Sequence, residues 1–158
     1  MAESEPGRRG GLEPLSKERV AAALDARGSH YLEDEDGDLY GFWDGCLFYF
    51  FVMGRYNEIL QVRGTWWGRL SDDQYDAALR ATNDWNLQKI WPKAYARVDD
   101  GEVRIVAEVS VDYEHDLTDA QLGQHLNCAL GTTGNFFDQL NETFAVEAAI
   151  ARAEFERD

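Results

Sequence analysis

The sequence predicts an α+β domain in which helices pack an antiparallel sheet, in the order α-β-β-β-α-β-β-α. Three observations predict it. Two Ser/Thr-x-x-Gln capping boxes, Ser71 to Gln74 and Thr118 to Gln121, each open a run with apolar residues at helical spacing. An Asp-Gly pair, Asp44-Gly45, separates two aromatic-rich runs, the sequence mark of a tight hairpin. Residues 102–112 alternate, with Val103, Ile105, Ala107, Val109 and Val111 on one face of a strand and, Val106 apart, polar residues on the other.

Residues 1–13 are rich in Gly, Glu and Arg without periodicity and read as a tail ahead of one domain over 14–146. A short helix is expected over 15–27, capped by Ser16, striped by Val20, Ala23 and Leu24, and stopped by Gly28. Strands follow. Residues 31–34 and 39–43 flank the turn Glu35-Asp36-Gly37-Asp38, and Asp44-Gly45 leads into 46–53. Leu47-Phe48-Tyr49-Phe50-Phe51-Val52-Met53 has no polar alternation, so both of its faces call for cover by helices or by a partner. A further strand spans 59–67.

The first capping box starts a helix to about residue 89, with Tyr75, Ala78, Leu79, Thr82 and Asn86 on one stripe and Pro92 beyond its end. Residues 94–98 and 102–112 pair around Asp99-Asp100-Gly101. The second capping box opens one long helix striped by Leu122, Leu126, Ala129, Leu130, Thr133, Phe137, Leu140 and Phe144. Any bend is expected at Gly131 and Gly134, and residues 147–158 are expected to extend the helix and fray.

Charge narrows the function. With 30 acidic and 15 basic side chains in 158 residues, the net charge of −15 repels phosphate backbones and anionic headgroups. No nucleic-acid or membrane partner is expected. No apolar run approaches a membrane span, and residues 1–14 lack the apolar core of a secretory signal. Cys46 and Cys128, both in apolar surroundings, read as free buried thiols of a cytoplasmic protein.

The chemical motifs fail one by one. Asp34, Asp36 and Gly37 fit an EF-hand loop, but Leu32 and Trp43 occupy its first and last ligand positions, leaving an acidic turn. Gly131-Thr132-Thr133-Gly134 has the form of a phosphate-clamping GXXG loop without basic neighbours, and close approach of another element explains it better. His30, His115 and His125 lack metal-ligand spacing, and no oxyanion device accompanies His125 and Cys128. No metal, cofactor or catalytic residue is expected.

What remains is a set of candidate contact residues. Asn83 and Asn86 flank Asp84-Trp85, and they read either as a polar lock between helix and hairpin or as the floor of a ligand groove with Arg63. Trp66 and Trp67 are adjacent, so in a strand they point to opposite faces, one into the core and the other covered or offered to a partner.

Trp43-Asp44-Gly45, the apolar strand after it, Asn83-Asp84-Trp85-Asn86 and Trp91-Pro92-Lys93-Ala94-Tyr95, in that order, resemble the YbjN family over roughly residues 15–145. The resemblance implies a small cytosolic bacterial protein described as a sensory-transduction regulator, with no established catalytic residue. The element order is also similar to the fold of type III secretion chaperones, acidic dimers that hold an extended partner segment. The expected function is therefore a non-enzymatic protein-binding or chaperone-like regulatory module, a homodimer. The alternative is a small-ligand sensor, or an enzyme of unrecognised type, with a pocket near Asn83 and Asn86.

Overall fold

A computed structural model describes residues 11–158; of the tail expected over 1–13, residues 1–10 lie outside them, and Glu13 pairs with Leu117 in an isolated antiparallel bridge. Helix α1, Lys17–Ala26, starts where Ser16 Oγ accepts the Arg19 N–H at 3.1 Å and ends before Gly28 at φ +72°. Strands β1 (Leu32–Glu33), β2 (Leu39–Trp43), β3 (Cys46–Met53) and β4 (Ile59–Thr65) follow. A single 3-10 turn, Asp72–Gln74, leads into α2, Tyr75–Gln88. Strands β5 (Lys93–Asp99) and β6 (Glu102–Asp112) precede α3 (Asp119–Thr143) and α4 (Ala145–Arg157).

All six strands form one antiparallel sheet in the order β1-β2-β3-β4-β6-β5. The α+β class is as expected, and β1 at the sheet's edge falls within the strand expected over 31–34. Both Asp-Gly pairs make the predicted tight turns: Asp44 and Gly45 have φ of +49° and +80°, and Asp100 and Gly101 have +49° and +77°. The pairing of β4 with β6, Val62 opposite Val109, joins the meander to the later hairpin.

The core lies on one face. Phe48, Phe50, Leu60, Val62, Ile105 and Ala107 meet Val20 and Leu24 of α1 and Leu122, Leu126, Phe136, Phe137 and Leu140 of α3. The predicted α1 and α3 stripes are buried as expected. Three local expectations are corrected. The buried face of α2 is Ala78, Thr82 and Trp85, leaving Tyr75, Leu79 and Asn86 exposed. Trp85 turns that face, because its indole packs 4.9 Å from the Phe136 ring and donates to the Trp91 carbonyl at 3.3 Å. The last helix runs unbroken through Gly131 and Gly134 and is interrupted instead at Phe144, which leaves helical geometry at φ −119°, ψ +59° as its ring packs on Trp66. Nor do these glycines admit a close neighbour, since a Cβ at either would meet nothing within 4 Å.

Candidate functional site

Strand β3 alternates in space although it does not in composition. Cys46, Phe48 and Phe50 are buried, while Leu47, Tyr49, Phe51 and Met53 are only half-buried on the opposite face. Antiparallel register puts Tyr40 beside Tyr49 and Phe42 beside Leu47 on that outer face, with Arg63 on the other side of Tyr49. Aromatic rings then run across it in sequence. Phe42 is 6.5 Å from Tyr40, Tyr40 is 5.5 Å from Tyr49, and Tyr49 stacks on Phe51 at 5.0 Å with an interplanar angle of 1°. The Arg63 guanidinium covers Phe51 at 4.8 Å, a cation–π contact that ends the row.

Beyond Arg63 the face closes over a charge cluster. Glu108, only 7% exposed, faces Arg63 Nε at 3.4 Å and Lys93 Nζ at 2.8 Å, and accepts from the Tyr95 hydroxyl at 3.1 Å. Arg63 Nε also donates to Gln61 Oε1 at 3.0 Å, and Gln61 Nε2 donates to Ser110 Oγ at 3.0 Å. Hydrogen bonding to Glu108, with its charge, raises Lys93; burial, then the Glu108 charge, raises Tyr95. Arg63 is thus held by Gln61, Glu108 and Phe51, which gives it a fixed place at the margin of the aromatic row.

Trp67 lies at the opposite end. Phe155 of α4 sits 6.2 Å from Trp67 and 5.9 Å from Phe42, so the outer row continues to the C-terminal helix. Strand β4 ends at Thr65, and strand alternation no longer governs the two tryptophans. Both indole N–H groups converge on one acceptor, Asn141 Oδ1, at 2.8 Å from Trp66 and 3.0 Å from Trp67. Trp66 is fully buried; Trp67 is half-buried. One tryptophan thus lies in the core and the other is partly covered by α4 through Arg152 and Phe155, but both are tied to one acceptor, which sequence reasoning missed because Asn141 lies about 75 positions away.

Asn83 and Asn86 stand apart from this surface, on α2 outside the edge strand β5. Asn86 Nδ2 donates to the Ala94 carbonyl at 2.9 Å, and its Oδ1 accepts the Ala94 N–H at 3.0 Å. One side-chain amide thereby pairs with the open edge of β5 as another strand would. Asn83 is exposed and lines a shallow cleft with Asn86, Ala94 and Tyr95. These residues do not converge with Arg63.

Asp34, Asp36 and Asp38 bring carboxylate oxygens within 4.8 Å of one another. The turn explains them: Asp34 Oδ1 accepts the N–H groups of Asp36 at 3.0 Å and Asp38 at 2.9 Å, as in an Asx turn. Burial, then the neighbouring Asp34 and Asp36 charges, pushes the Asp38 carboxyl up. Cys46 is buried and its thiol is pushed up to about 12, mainly by burial. Cys128, expected to be buried, is only partly so.

Residues 16–142 match the profile of the family described as "YbjN: Putative bacterial sensory transduction regulator". The chain belongs to the YbjN family. A solved structure, "Crystal structure of YbjN, a putative transcription regulator from E. coli", superposes on this YbjN-family chain with a TM-score of 0.73 at 13% identity. The match covers 84% of this chain and 96% of that one. At that identity the likeness shows a common fold. No curated protein matches the chain. The family description names a regulator and no reaction. Among the described residues, no helix is long and apolar enough to cross a membrane.

Proposed function

We propose that this YbjN-family chain is a non-enzymatic regulatory module that acts by protein contact, and that its first contact is with a second copy of itself. The half-exposed aromatic row Phe42, Tyr40, Tyr49, Phe51 carries the reading, because the core helices pack the other side of strand β3 through Phe48 and Phe50, while α4 touches the row at its Phe42 end through Phe155. Charge favours self-association here. In a chain of net charge −15, the outward positions of β2, β3 and β4 from Tyr40 to Thr65 carry no carboxylate of their own, and the acids beside them, Asp34 next to Tyr49 and Glu108 paired with Arg63 and Lys93, lie at the margins of the face. Aromatic rings at such a surface bury large area with little loss of rotamer freedom. The likeness in element order to secretion chaperones supports a dimer that holds a protein partner, and the family's description as a regulator supports a signalling role in the cytoplasm. Net negative charge weighs against nucleic acid and membranes as direct partners. The alternative of a ligand groove floored by Asn86 loses its motive, since that amide is already committed to the Ala94 backbone.

Sedimentation equilibrium of the wild-type chain and of Tyr49→Asp tests the reading. A wild-type dimer that becomes a monomer in Tyr49→Asp, with unchanged circular dichroism, is the expected result. A wild-type monomer at about 100 μM, weaker than any specific dimer of this size, overturns it.

A further inference from the structure

We propose that the cleft between the end of β6 and the first half of α3 is a binding site for a small neutral hydrophobic molecule bearing one hydroxyl or carbonyl group. The site is on the opposite side of the sheet from the aromatic row and does not depend on what that row holds.

Its walls are Val109 and Val111 of β6, Trp91 before β5, and the α3 side chains His125 and Cys128, with Tyr113 at one end. The volume is about 470 Å³, within the range of small-molecule sites. Charge distinguishes it. No Asp, Glu, Lys or Arg lines it, although 28% of the chain is charged; every other described cleft has at least one. A carboxylate or ammonium entering it would lose hydration without meeting a counter-charge, so the cleft selects neutral ligands.

The lining's hydrogen-bonding groups are few: Tyr113, Gln121 and His125, with Gln124 at the exposed edge. His125 is 5% exposed, and its Nε2 lies 3.0 Å from the Val109 carbonyl, which can only accept; Nε2 therefore carries a proton. Burial lowers the His125 pKa, so the ring is neutral and Nδ1 accepts the Tyr113 hydroxyl proton at 2.8 Å. With its proton so engaged, the Tyr113 oxygen retains lone pairs for a ligand hydroxyl. Gln121 Oε1 accepts the Thr118 N–H in the capping box, which leaves the Gln121 amide N–H groups as donors to a ligand carbonyl or hydroxyl. Trp91, half-exposed, supplies a flat apolar wall at the mouth. Nothing here activates a nucleophile, and the arrangement is one for binding.

Cys128 reports occupancy. It lines the cleft, whereas Cys46 is buried 3% exposed and serves as an internal control. The probes are 2-naphthol and 1-octanol, each with its carboxylate counterpart, 2-naphthoate and octanoate. Binding is followed by titration calorimetry on the full chain, and Cys128 alkylation by N-ethylmaleimide is followed by mass spectrometry. The expected result is saturable binding of at least one neutral probe, with Cys128 alkylation slowed in proportion to occupancy. Its carboxylate counterpart should bind at least about tenfold more weakly, the equivalent of one protonation-scale penalty of about 1.4 kcal/mol. Gln124→Trp places a large side chain at the exposed edge of the cleft and should abolish binding with the fold intact by circular dichroism, whereas Gln124→Ala should retain it. Absence of saturable binding by both neutral probes overturns the proposal. So does equal binding of the carboxylates, or binding that leaves Cys128 unprotected and survives a folded Gln124→Trp.

Discussion

Replacing Asn141 with Ala removes one oxygen and leaves two indole N–H groups without their acceptor. The two donors differ in burial, and the cost follows from that difference. Trp66 is fully buried, so its N–H is stranded away from water at about 1–3 kcal/mol. Trp67 is half-buried and can recover a water, so its net loss is the ordinary hydrogen-bond contribution of about 0.5–1 kcal/mol. Together the expected destabilisation is about 1.5–4 kcal/mol. For a chain of this size that lowers Tm by roughly 3–16 °C. Asn141→Asp keeps an acceptor oxygen at the same place and should cost less than half as much. Urea unfolding followed by tryptophan fluorescence measures both. A double-mutant cycle of Asn141→Ala with Trp66→Phe, which removes the buried donor, should show a coupling of about 1 kcal/mol or more. A loss below about 0.5 kcal/mol in Asn141→Ala, or additive behaviour in the cycle, would refute the shared-acceptor account.

Asn86→Ala leaves both polar groups of Ala94 without their partner at a residue only 4% exposed on the sheet's edge strand. A loss of about 1–2 kcal/mol is expected in chemical denaturation, and unchanged stability would contradict the lock. Gly64→Ala sets a Cβ 2.8 Å from Phe48 Cε1 and 3.1 Å from Phe137 Cε2. Both rings are buried, so overpacking should cost about 1–3 kcal/mol in a thermal melt, and a variant as stable as wild type would sink the argument. For His125, burial lowers the folded-state pKa below that of the unfolded chain, so the unfolded state takes up the proton first as pH falls. The stability from neutral His125 is present above about pH 6.5 and is lost as pH falls toward the folded pKa. His125→Gln should therefore show a shallower decline in urea midpoint between about pH 7 and 5 than wild type, and parallel curves would be the contrary result.

Much of the fold was legible because its signals are local. The capping boxes at Ser71 and Thr118, the positive-φ turns at Asp44-Gly45 and Asp100-Gly101, and the alternation of Val103 to Val111 are constraints between residues a few positions apart. The family resemblance rested on the same short motifs, and the profile match over residues 16–142 agrees with it. The candidate site was less legible. Arg63 and Trp67 do lie at the two ends of the outer aromatic row, but Glu108, Lys93 and Tyr95, which hold Arg63, gave no local sign of doing so.

The doubly apolar strand Leu47 to Met53 shows where the boundary falls. Composition by itself determined that β3 would be extended and in need of cover on both faces, since hydrophobic side chains project to each side of a strand whatever surrounds it. Which face the helices took was decided by tertiary packing. Phe48 and Phe50 meet α3 and the other core residues, and Tyr49 and Phe51 are left in a half-exposed row. The rotation of α2 toward Trp85, the break at Phe144 and the meeting of Trp66, Trp67 and Asn141 belong to the same class. Each depends on a partner brought from a distant part of the chain, and dispersion and hydrogen bonding choose such partners by shape and reach in three dimensions, which no short-range pattern encodes.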